Sequence, residues 1–121
     1  MLKVLLADDD LTMVAFLKTL LSMEGYQVAT LLDKTGILLD NIRREKADVL
    51  LIDIFLGDRN GLDIVREIRE KPDMKDLRIV MVSGIDKCED CLAAGANAFL
   101  LKPYMPEELF EILRSQNFGD L

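Results

Sequence analysis

The chain has 121 residues and a formal net charge of -7; half of its residues are hydrophobic, and it contains neither Trp nor His. That length holds one domain with a real core and leaves no room for a second globular unit, and the apolar content excludes a disordered chain. The acidic balance argues against binding nucleic acid or an anionic membrane through bulk electrostatics, and no apolar stretch is long enough to span a bilayer or act as a signal peptide, so a cytoplasmic protein is expected.

Strands and helices alternate along the chain. Residues 2–7 read as a first strand. Asp10 suits the N-cap of a helix whose stripe is Met13, Phe16, Leu17, Leu20 and Leu21, and Gly25 suits its C′ position. A second strand is expected at 26–30 and a second helix at about 33–46, with Ile37, Leu38 and Ile42 on its apolar side. The third strand spans 47–52. A turn rich in Gly, Asp and Asn (57–61) precedes a helix carrying Leu62, Val65 and Ile68. Strand four covers 77–82, a short helix 86–94, and strand five 96–101. The last helix starts at Pro106, with Glu107 and Glu108 favourable in its first turn. Five βα units predict an α/β domain over residues 1–121, a parallel sheet with helices on both faces.

Leu5-Leu6-Ala7-Asp8-Asp9-Asp10 places acids where the first strand ends, and Val49-Leu50-Leu51-Ile52 runs into Asp53 in the same way. Ligands of open α/β sheets bind at the strands' carboxyl ends, so these carboxylates converge at one edge. Like charges that close need a cation, and an all-oxygen set suits Mg²⁺, which keeps waters and sits beside phosphates. Strand four ends at Ser83-Gly84 and strand five at Lys102-Pro103. Each residue alone has a dull explanation: a cap, a turn residue, a solvated charge. An acid pair, a lone carboxylate, a hydroxyl and an ammonium at four strand ends are hard to assemble by chance.

Cys88 and Cys91 form a C-x-x-C. Zinc would need further His or Cys ligands, which the sequence lacks, and a reactive thiolate needs a positive neighbour where Glu89-Asp90 stands. Cys88, Cys91 and Leu92 share one helix face, so buried apolar thiols are expected.

Taken in order, L-L-A-D-D-D, V-L-L-I-D, N-G-L, M-V-S-G and G-A-N-A-F-L-L-K-P resemble the receiver domain of two-component response regulators over essentially the whole chain. The resemblance implies a flavodoxin-like, doubly wound (βα)5 sheet in the order 2-1-3-4-5. By position, Asp53 matches the phosphate-accepting aspartate. Asp8 and Asp9 match the Mg²⁺-binding acids, with the Phe55 carbonyl as a further ligand. Ser83 matches the switch hydroxyl, Phe99 the switch aromatic, and Lys102 the lysine that pairs with a phosphoryl oxygen. The resemblance also implies a cis bond between Lys102 and Pro103 and a phosphohistidine donor on a sensor histidine kinase or phosphotransfer protein. It further implies a downstream protein partner, and a chain that catalyses only its own phosphorylation and slow dephosphorylation. With no His, this chain can accept from such a relay but not donate.

The sequence departs from the family pattern in four places. Gly57 stands where Pro is usual, so the loop loses a fixed φ. Ser83 and Gly84 replace Thr and Ala, which eases entry to Asp53. Phe55 and Ile85 occupy flanking positions that often carry polar side chains able to orient water. The stretch from Ser83 to Lys102 is about one helical turn short, and the shortfall falls in the fourth helix, on the face receivers use for output.

Three other readings fit less well. A haloacid-dehalogenase-type phosphatase needs a second Asp where Phe55 stands. The acids Asp8, Asp9 and Asp10 would repel the phosphate of a flavodoxin's FMN. A receiver-like interaction module that is not phosphorylated usually lacks one of the acids or the lysine, and this chain has them all.

Overall fold

A computed structural model describes residues 2–31, 38–57 and 59–115. Strand β1 spans Lys3–Ala7 and is followed by helix α1, Leu11–Met23. Next come β2 (Gln27–Thr30), α2 (Leu38–Glu45) and β3 (Val49–Asp53). A short hairpin, β4 (Phe55–Leu56) and β5 (Arg59–Asn60), leads into α3 (Gly61–Arg69). A 3-10 turn at Pro72–Met74 precedes β6 (Arg78–Ser83), α4 (Cys88–Ala94), β7 (Ala98–Leu101) and α5 (Pro106–Arg114).

The main sheet is parallel throughout, in the order β2-β1-β3-β6-β7, which in main-sheet strands is the expected 2-1-3-4-5. Every residue of β3 is buried, as a central strand covered on both faces requires. Alternate side chains feed two cores. Leu5, Leu50, Ile52, Ile79 and Met81 face Ile64, Val65 and Ile68 of α3 and Cys91 and Ala94 of α4. Val4, Leu6, Leu51, Val80 and Leu100 face Val14, Leu17 and Leu21 of α1 and Leu109, Phe110 and Leu113 of α5. Each such aliphatic side chain contributes about 1.5–3 kcal/mol on burial, so the two-faced core holds the strand ends rigidly.

Local signals act as expected at the helix ends. The Asp10 carboxylate accepts from the Met13 amide, Gly25 takes a positive φ just past the Glu24 cap, and Pro106 opens α5. Three expectations are corrected. Phe16 is half exposed, because it lies off the line Val14, Leu17, Leu21 that meets the sheet, and Val14 takes its place in the core. Leu92 is also half exposed, and of the two thiols Cys91 is buried while Cys88 is only partly covered. Residues 57–61 are not a plain turn, since 59–60 pair with 55–56 as a hairpin. The expected start of the second helix, residues 33–37 with Ile37, lies outside the described residues, as does Asp58.

Candidate functional site at the carboxyl edge of the sheet

Asp53 closes β3 and Ser83 closes β6, both buried, while Asp8 and Lys102 are the first residues beyond β1 and β7. Because β1, β3, β6 and β7 are neighbours in register, their ends bring these side chains to one place. The Lys102 ammonium bridges two acids, with Nζ 2.5 Å from Asp53 Oδ2 and 3.3 Å from Asp8 Oδ2. The Lys102 amide donates to the Ser83 carbonyl at 2.8 Å, which locks the end of β7 to that of β6, and the Lys102-Pro103 bond is cis.

Backbone amides hold several of the remaining oxygens. Asp53 Oδ1 accepts from the Phe55 amide at 2.9 Å, and Asp8 Oδ1 from the Asp10 amide at 2.9 Å. Ser83 Oγ accepts from the Ile85 amide at 3.1 Å. Asp9 is exposed and turned the other way, with Oδ2 accepting from the Gly57 amide at 2.7 Å. Phe55 and Ile85 stand on the rim, 53% and 58% exposed. Open space surrounds Gly84, where an added Cβ would meet nothing within 4 Å. Phe99, on β7, is part-buried against the α3 and α4 core and lines a groove of about 460 Å³ beside α4.

Gly61 sets the distance between α3 and the site. A Cβ there would collide with the Asp53 carbonyl oxygen and stand 3.0 Å from Ile54 Cα, so only glycine lets α3 begin against the end of β3. Tyr104 is a further residue beside the site that no motif in the sequence marks. Its ring is part-buried in the α1 and α5 core, and burial pushes its hydroxyl up to about 12, in the field of Lys102, Asp8 and Asp53. The available signal was its place one residue beyond Lys102-Pro103.

The electrostatics leave room for a divalent cation. Two carboxylates (Asp8 and Asp53) share one ammonium (Lys102), with the exposed Asp9 bonded instead to the Gly57 amide, a surplus of negative charge on hard oxygen donors that suits Mg²⁺. Among the described residues no three acidic, Cys or His side chains gather into a ready-made cage.

Burial raises the Asp8 carboxyl above its usual range, more than the Asp10 amide and Lys102 lower it. Burial opposes the Lys102 charge, but the hydrogen bond and attraction to Asp53, with Asp8 behind it, win and raise its pKa. For Asp8 the linkage sign follows directly. A carboxyl raised on folding favours the fold while protonated, and that advantage is lost as pH rises through the folded value. At neutral pH Asp8 therefore costs stability. Asp8→Asn is expected to raise the melting temperature at pH 7, with the gain shrinking under acid, as thermal denaturation across pH will measure. Destabilisation by Asp8→Asn at neutral pH would overturn the sign.

The Gly57 contact supports a second prediction. Proline has no N–H, so in Gly57→Pro the Asp9 carboxylate loses its donor, and at φ +60° the loop must also reshape. A hydrogen bond to a charged acceptor contributes about 1.5 kcal/mol at the low end, which corresponds to roughly tenfold tighter Mg²⁺ binding once it no longer competes. NMR titration with Mg²⁺ reads this, and unchanged or weaker binding would show that the Gly57 amide does not compete for Asp9.

With this geometry in view, the comparisons with known proteins are specific. The response regulator receiver domain family matches residues 4–114, and the chain belongs to it. It is 32% identical over 108 residues to the alginate biosynthesis transcriptional regulatory protein AlgB of Pseudomonas putida, covering 88% of this chain and 24% of that protein. Among solved structures it resembles the chemotaxis response regulator CheY4 of Vibrio cholerae, with a TM-score of 0.84, 28% identity, and 94% and 97% of the two chains covered. It also resembles the response regulator TrrA of Thermotoga maritima, solved in complex with Mg²⁺ and BeF, at a TM-score of 0.81 and 26% identity over 94% and 97% of the chains. The chain spans about a quarter to a half of the length of the curated relatives it matches. The family's general function is a phosphorylation-dependent switch in two-component signalling. Among the described residues no helix is long and apolar enough to cross a membrane.

Proposed function

We propose that this chain is a cytoplasmic phosphorylation switch that takes a phosphoryl group onto Asp53 from a phosphohistidine of a sensor histidine kinase or phosphotransfer protein. The observation that carries the reading is the Lys102 ammonium held between Asp53 and Asp8 at the carboxyl edge. A carboxylate nucleophile needs to be ionised and aimed, and the Phe55 amide and Lys102 fix its two oxygens. In the transfer, an Asp53 oxygen forms the new bond to phosphorus while the phosphorus–nitrogen bond breaks and the imidazole leaves.

Charge spreads over the equatorial phosphoryl oxygens in the transition state, so catalysis is positioning plus neutralisation. Lys102 would meet one oxygen, and the Ser83 hydroxyl with the Gly84 amide another. Ser83 Oγ now accepts from Ile85, which leaves its O–H free to donate. Asp8, Asp9, Asp53 and the Phe55 carbonyl would hold Mg²⁺, which when bound neutralises a further oxygen. Ser83 moving toward the phosphoryl group would let Phe99 turn inward, and this shift would be read by a downstream protein partner.

The test is binding of beryllofluoride, a phosphoryl mimic, with Mg²⁺. Wild type should bind with shifts at Ser83 and Phe99, and Asp53→Asn should not. Tight binding by Asp53→Asn, or none by folded wild type, would favour the interaction module that is not phosphorylated.

A further inference from the structure

The C-x-x-C at the start of α4 is not the pair of buried thiols its sequence suggested. Cys88 is the first residue of the helix, partly exposed, while Cys91 one turn later is fully covered. Lys87 at the cap makes no side-chain hydrogen bond to the helix, the Cys88 amide donates to Asp86 Oδ1 at 3.1 Å, and the Cys91 backbone amide donates to the Lys87 carbonyl at 2.9 Å. Cys88 also shares a wall with Phe99: both line the groove of about 460 Å³ beside α4, together with Asp86, Leu101, Pro103 and Glu108.

We propose that Cys88 and Cys91 form a reversible dithiol–disulfide site that reacts with small-molecule disulfides, and that its closure reshapes the groove lined by Phe99. Residues three apart on a helix hold their Cβ atoms about 5–6 Å apart, and a disulfide needs roughly 3.8 Å. Closure therefore tightens the first turn of α4 and draws Cys88 back from the groove. The exposed thiol meets the oxidant first. Burial, with Cys88 and Asp90 adding, pushes the Cys91 thiol up to about 11, which keeps it from reagents in solution and slows its own attack; its place one helical turn from Cys88 is what makes it the resolving group.

The balance is that of thiol–disulfide exchange. The Cys88 thiolate attacks one sulfur of the external disulfide. A mixed disulfide forms, the external sulfur–sulfur bond breaks, and the departing thiolate takes up the proton that Cys88 released. Cys91 then gives its proton to solvent and attacks Cys88 Sγ, expelling the second external thiolate, which is protonated in turn. Two protein thiols are oxidised and one external disulfide is reduced to two thiols. Without a catalyst the exchange runs over minutes to hours.

Oxidised glutathione is the probe, applied to the whole chain and followed by intact mass and differential alkylation. Wild type is expected to finish with a Cys88–Cys91 bond and no adduct, and Cys91→Ser to stop with one glutathione on Cys88. Cys88→Ser should stay unmodified while folded. Alkylation mapping of wild type locates the bond without relying on either variant. The Phe99 ring signals should shift on oxidation and return with reductant. A lasting adduct on wild-type Cys88 would overturn the disulfide, and closure with Phe99 unmoved would overturn the coupling. The chemistry does not involve Asp53, so Asp53→Asn must oxidise as wild type does, which separates this result from the fate of the phosphorylation reading.

Discussion

Replacing Lys102 with Met is expected to slow phosphorylation of Asp53 by about a hundredfold or more, and in the same protein to tighten Mg²⁺ binding. The first effect follows from losing a preorganised cation. Lys102 Nζ already stands 2.5 Å from Asp53 Oδ2, beside which a phosphoryl oxygen would arrive in the proposed transfer. The second effect has the opposite sign because the ammonium and the metal compete for the same acids. Without Lys102, Asp8 and Asp53 lose their only close ion-pair partner among the described residues, and the cation that remains to neutralise them is Mg²⁺. Unit charges about 4 Å apart near a protein surface interact by roughly 4 kcal/mol, less where water screens, so a gain of about tenfold in affinity is a conservative expectation. Met keeps the length of the aliphatic stem, which separates charge from packing. Transfer from a small phosphodonor gives the rate and NMR titration gives the affinity. If both fall together, Lys102 acts through folding and the charge argument fails.

The sheet was legible because its signals are cooperative. A run such as Val49-Leu50-Leu51-Ile52 has no polar position, so it reads as a strand covered on both faces, and its register against β1 and β6 places Asp53 beside Asp8. The placement of the site followed from the same fact, since strand ends are fixed by the core and not by the loops. What escaped were features set by tertiary contact. Phe16 is as apolar as Leu17, but only the line that meets β-sheet side chains is buried, and one residue of rotation decides between them. The hairpin at 55–60 escaped because each of its strands is two residues long, too short to show a period. The bond from Gly57 to Asp9 joins residues far apart in sequence and depends on that hairpin. The asymmetry of Cys88 and Cys91 escaped because spacing gives a helix face, whereas exposure depends on how far the helix start projects beyond β6 and β7.

Changing Phe55 to Asn, or Ile85 to Glu, is expected to speed loss of phosphate from Asp53 by about tenfold or more. Hydrolysis needs a water in line with the bond to Asp53, and a water gains little from proximity unless a polar group orients it. The two rim positions supply none. Their side chains are apolar, and their backbone amides are already engaged, Phe55 with Asp53 Oδ1 and Ile85 with Ser83 Oγ. Those bonds also fix the side chains outward, where both are more than half exposed over an Asp53 that is only 6% exposed. A polar replacement would therefore stand at the mouth of the site without disturbing the core. The opposing effect is the open space at Gly84, which admits water freely. Free water at an open mouth is unoriented, so access alone does not set the rate. Release of labelled phosphate in Mg²⁺ measures it. A wild-type acyl phosphate that decays in seconds, and decays no faster in either variant, would show that access governs hydrolysis and that Phe55 and Ile85 do not.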